Sequence, residues 1–143
     1  MLRRARAITV ALTALCCQAC NTAFLAHLPR AAEDAAFPEE TIDHCLSSLG
    51  FEDESQDELS AVSIRKEPEL VAVWSTPPGS VWSSTSQTVA SVRQHQDRWT
   101  VAFISRSSSV SAEALAKAFS NCVPTHDPAI GIEVESQWFF DLR

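Results

Sequence analysis

Residues 99–104 read WTVAFI, a segment with the marks of a central β-strand. Trp99, Val101 and Phe103 fall on one face and Ala102 and Ile104 on the other, so both faces are apolar, as in a strand covered on both sides. Working backward, residues 87–94 place Thr88, Ala90 and Val92 on one side and Val89, Ser91 and Arg93 on the other. The chain then turns through His95–Arg98 into WTVAFI. Leu70–Ser75 is a further β-prone run. Ala61–Arg65 is another, and the KEPE between them predicts a hairpin. Thr76-Pro77-Pro78-Gly79 is a firm turn, because two prolines cannot join a ladder; Val81–Thr85 follows as a short edge strand. Within residues 130–140, Ile130, Ile132 and Val134 alternate with Gly131, Glu133 and Glu135, which predicts a last strand.

Two helical patterns flank these strands. Pro38 stands at a first helical position, Glu39 and Glu40 occupy the first turn, and Ile42, Cys45, Leu46 and Leu49 recur at helical spacing before Gly50 stops the run. Further on, Ser109 or Ser111 can cap a helix whose apolar stripe is Leu115, Ala118, Phe119 and Cys122, with Pro124 expected to end it. The order α, several β, α, β predicts an α+β two-layer sandwich. Two helices should pack on one face of a mostly antiparallel sheet of about four to six strands. With 143 residues there is room for one modest domain, expected over 37–143. Residues 21–36 (NTAFLAHLPRAAEDAA) show no sustained period and contain Pro29, so they read as a tether without a role in the fold.

The beginning of the chain has a different character. Arg3, Arg4 and Arg6 form a basic n-region, and residues 7–15 are an uncharged, mostly apolar run far short of the roughly 20 residues a membrane-spanning helix needs. The stretch 12–24 reads LTALCCQACNTAF, and small side chains at Cys17 and Ala19 make cleavage before Cys20 natural. Leu12, Leu15, Ala19 and Cys20 together resemble the lipobox of bacterial lipoproteins, with Cys17 standing where that class usually carries leucine. The resemblance implies a signal peptide over 1–19 and acylation, palmitate included, at Cys20. It also implies sorting to the periplasmic face of the outer membrane, because Asn21 is not the aspartate associated with inner-membrane retention. The lipid bilayer is then a partner through the acyl anchor, and residues 20–36 are the lipidated N-terminus and its tether. Cleavage removes Cys16 and Cys17 and acylation consumes Cys20, which leaves Cys45 and Cys122 as an even pair in an exported domain. Each lies on the apolar stripe of its helix, so a disulfide joining the two helices is expected. Without acylation, the same domain would be a soluble periplasmic or secreted binding or inhibitor module.

Charge narrows the partners. Removing Arg3, Arg4 and Arg6 leaves eight Lys and Arg against eighteen Asp and Glu, a formal charge of −10 for the mature chain. Nucleic acid is excluded as a partner on this ground, because phosphate binding draws its affinity from cationic contacts. An envelope protein or a saccharide remains as the partner of a scaffold or binding domain. The acidic run FEDESQDELS (51–60) fails as a calcium loop, since Glu58 stands where the turn needs glycine and Ile64 where a bidentate glutamate belongs. His27, His44, His95 and His126 form no metal-ligand spacing, so no metal or cofactor is expected. His126-Asp127 could orient an imidazole, but no serine stands in a nucleophile elbow. A non-enzymatic role is therefore expected, and an envelope hydrolase would require Ser, His and Asp to meet in a cleft. Trp74 and Trp99 belong to good strands and are expected in the core. Trp82, within the Ser- and Thr-rich WSTPPGSVWSSTSQT, is the candidate contact residue.

Overall fold

The computed structural model describes residues 22–77, 88–106 and 111–138. Six strands form one antiparallel sheet: β1 (Thr22–Pro29), β2 (Glu52–Asp53), β3 (Leu70–Ser75), β4 (Thr88–Gln94), β5 (Arg98–Ser105) and β6 (Glu133–Trp138), in the order β2-β3-β4-β5-β1-β6. Three helices pack on it: α1 (Glu39–Ser48), α2 (Glu58–Lys66) and α3 (Ala112–His126). This is the expected α+β sandwich, with one helix more than predicted.

The strand predicted from WTVAFI is central in the sheet, held by β4 on one side and β1 on the other. Trp99, Val101 and Phe103 enter the main core together with Ala90 and Val92 of β4 and Ala72 and Trp74 of β3. Both tryptophans predicted to be buried are so. Helices α1 and α3 cover this face with Ile42, Cys45, Leu46, Ala116, Phe119 and Val123. Phe103 lies at its middle, with Phe51 5.9 Å and Phe119 5.5 Å away between ring centroids. Burying such rings removes apolar surface from water at roughly 25 cal/mol per Å², which is the main force closing the two layers.

Residues 22–29 are a correction to the tether reading. They form β1, which pairs with β5 from Phe24↔Phe103 to Pro29↔Arg98 and with β6 from Thr22↔Trp138 to His27↔Glu133. Phe24, Ala26 and Leu28 point to the main core, whereas Ala23 and Leu25 join Ala102 and Ile104 on the other face. Both faces are apolar, so no alternation is visible in the sequence, and Pro29 ends the strand rather than interrupting a tether. Among the described residues the sheet accordingly takes in Thr22–Pro29, ahead of the 37–143 expected for the domain.

Ala61–Arg65, expected as a strand, is instead inside α2, and the predicted hairpin is absent: β3 pairs with β2 and β4. Helical end chemistry outweighs the β propensity of Val62 and Ile64. Asp57 caps the helix, its Oδ1 accepting from the backbone N–H groups of Leu59 and Ser60, Glu58 sits in the first turn, and Arg65 and Lys66 sit in the last. Ile64 packs with Leu70, Val73 and Val89, on the sheet face opposite α1 and α3. Asp57→Ala is expected to cost about 0.5–2 kcal/mol, read as a lower urea midpoint with an unchanged slope; an unmoved midpoint would mean that the cap contributes nothing.

The remaining elements follow their predicted chemistry with shifted limits. Ser111 caps α3, its hydroxyl accepting from Ala114 N–H. Pro124 does not end this helix, which continues to His126: proline removes only its own N–H, and Asp127 N–H still reaches Val123 C=O at 2.8 Å. Ile130, Ile132 and Val134 all pack against the main core, as their alternation predicts, although β6 starts only at Glu133. The predicted edge strand Val81–Thr85 lies outside the described residues.

Candidate functional site

Cys45 and Cys122 form a disulfide between α1 and α3, with 5.8 Å between their Cα atoms. Cys45 is fully buried. The helix stripes that suggested the bond do meet over the sheet. One residue before Cys45 and four after Cys122, the imidazoles of His44 and His126 stack at 4.5 Å between centroids and 19° between planes, so disulfide and ring pair are successive ties along one helix interface. Asp127 does not orient His126: its Oδ1 accepts from Ala129 N–H.

The sheet brings together a second group that no spacing in the sequence suggests. His27 on β1 stands directly opposite Thr100 on β5 and Glu133 on β6. Its Nδ1 lies 3.0 Å from Thr100 Oγ1 and its Nε2 2.8 Å from Glu135 Oε1. With the ring neutral, Thr100 O–H donates to Nδ1 and Nε2–H donates to Glu135; with the ring protonated, both nitrogens donate. The side chain of His27 is 13% exposed and that of Glu135 57%. His27, Glu133 and Glu135 line a cleft of about 580 Å³ together with Arg98 and Ile132.

A hydroxyl, an imidazole and a carboxylate in a chain have the order of a catalytic triad. Here, however, Thr100 is 5% exposed in the middle of β5 and does not line the cleft. The chain of bonds therefore acts as a strut across β5, β1 and β6, with only its His27–Glu135 half open to a ligand. Among the described residues, no group of three or more His, Cys, Asp or Glu side chains is placed to hold a metal ion.

Two more clefts open at the same end of the molecule, where β1 finishes. One, of about 540 Å³, is lined by Arg30, Glu69, His95 and Asp97. The other, of about 550 Å³, lies between the start of α1 and Asp127 at the end of α3, and includes Phe37, Glu40 and Asp43. Arg30 ties this end together: its Nη1 donates to His95 C=O at 2.9 Å and its guanidinium lies 5.6 Å from the Trp99 ring centroid. Cys20, the predicted acylation position, and Trp82, the predicted contact residue, both lie outside the described residues. No protein-family model matches the chain, and neither does any curated protein or solved structure.

Proposed function

We propose that this chain is an exported lipoprotein of the bacterial envelope, held at the periplasmic face of the outer membrane by acyl groups on Cys20. Its α+β domain is a non-enzymatic scaffold or binding module for an envelope protein or saccharide. The observation that carries the reading is the Cys45–Cys122 disulfide. Such bonds belong to oxidising compartments, and this one uses both cysteines of the domain, which leaves Cys20 free for a lipid. Among the described residues no helix is long and apolar enough to cross a membrane, and a domain this acidic gains nothing from an anionic surface, which favours a covalent lipid as the attachment.

Cys20→Ala is expected to abolish acyl labelling and move the protein from the membrane fraction to the soluble one. A variant that fractionates with membranes as before contradicts the anchor. Cys17, at the position where lipoproteins usually carry leucine, favours a second reading, a soluble periplasmic or secreted module with the same fold. Acyl labelling of the unmodified chain separates the two, because only the anchored form takes up the label.

A further inference from the structure

We infer that the bilayer meets the sheet end at which β1 starts, and that the end at which β1 finishes, with the clefts described above, is held away from it; this deepens the proposed function and rests on the acyl anchor at Cys20. Thr22, two residues after Cys20, is already the first residue of β1. A chain spans at most about 3.6 Å per residue, so the lipid-bearing residue lies within roughly 7 Å of the sheet. β1 cannot peel away to lengthen that link, because β5 and β6 hold it on both sides.

The antiparallel registers then fix which groups share the membrane-near end. Thr88 pairs with Ser105, and β5 finishes there, followed by Arg106, while Ser75 and Thr76 mark the end of β3. Of these, Thr88 and Ser75 are buried, whereas Arg106 is an exposed cation at this end. At the opposite end lie Pro29, the His95–Arg98 turn and the three clefts described above, roughly 23 Å along the eight residues of β1 at about 3.3 Å per step. Charge opposes tipping. Laying the β6 edge on an anionic surface would press Glu133 and Glu135 against it, whereas the upright arrangement keeps them and Asp97 away. Glu52–Asp53 on β2 also belong to the membrane-near end, but at the far edge, four strands from β1 and so roughly 19 Å away.

The test uses the full acylated protein in phosphatidylethanolamine–phosphatidylglycerol vesicles doped with a nitroxide-headgroup lipid. A single fluorophore is placed at Arg106→Cys or at Gln96→Cys, exposed positions just beyond the two ends of β5. Quenching should be several-fold stronger at position 106 than at position 96. Inserting ten Gly and Ser residues between Asn21 and Thr22, a linker of about 17 Å root-mean-square length, should erase most of that difference. Equal quenching at both positions, or a difference that the linker leaves unchanged, overturns the orientation. Mass spectrometry of the same samples separates the two ideas: an acyl mass on Cys20 with equal quenching sinks the orientation alone, whereas absence of any acyl mass sinks the anchor and the orientation together.

Discussion

Removing the Cys45–Cys122 bond, by the paired change Cys45→Ala and Cys122→Ala, is expected to lower the free energy of unfolding by roughly 4–5 kcal/mol. The two cysteines are 77 residues apart in sequence, and the loop they close contains β2, β3, β4, β5 and α2. In the chain-entropy view, an open loop of that length gives the unfolded ensemble far more conformations. A domain of this size has only about 5–15 kcal/mol to lose. The melting temperature should fall by more than about 10 °C. Alanine is the informative replacement at Cys45, since serine would bury an unpartnered hydroxyl in a fully enclosed position. A urea titration that finds the variant within about 1 kcal/mol of the parent would show that the packing of α1 on α3 does not need the covalent tie.

Trp74→Ala is expected to cost about 3–5 kcal/mol, the range for deleting a large buried ring. Trp74 is 1% exposed, and its Nε1–H donates to the exposed Asp43 Oδ1 at 3.3 Å, which links β3 to α1 at the margin of the core. Trp74→Phe separates the two contributions. It keeps most of the ring volume and loses the hydrogen bond, for a cost of about 0.5–1.5 kcal/mol from the bond itself. Trp99→Ala belongs in the range of Trp74→Ala, since Trp99 is 5% exposed and meets Phe37 edge-on at 6.1 Å. Equal effects of Ala and Phe at position 74 would assign the loss to the Asp43 bond rather than to packing.

What could be read in advance divides along a physical line. β4 alternates with a period of two, α1 and α3 have helical spacing, and β5 is a β-branched and aromatic run apolar on both faces, which together fix these elements; the disulfide follows from the stripes of α1 and α3. β1 carries no such signature, because Ala23 and Leu25 are buried on one face while Phe24, Ala26 and Leu28 pack on the other. What makes it a strand is pairing with residues 69 or more positions away, which no local window contains. α2 was hidden for the opposite reason. Its apolar middle is β-branched, and its helical signals, Asp57 and Glu58 before and Arg65 and Lys66 after, merge with a run of charge. The His27–Glu135 contact joins residues 108 apart and depends on β1 sitting between β5 and β6, so it became visible only with the strand order.

The correction at β1 also changes how an anchored domain would behave. A flexible lead-in would let the domain sample many heights and tilts, whereas a strand beginning two residues after an acylated cysteine couples sheet and membrane directly. The strut from Thr100 through His27 to Glu135 lies near the far end of that strand, beside the clefts.

The most direct test of an anchored, disulfide-closed domain is the intact mass of the protein extracted from membranes, measured with and without prior reduction and thiol alkylation. The expected chain begins at Cys20, carries added acyl mass there, and takes up alkylating reagent at Cys45 and Cys122 only after reduction. A chain that keeps residues 1–19, bears no acyl group, and is alkylated at both domain cysteines without reduction would contradict the account.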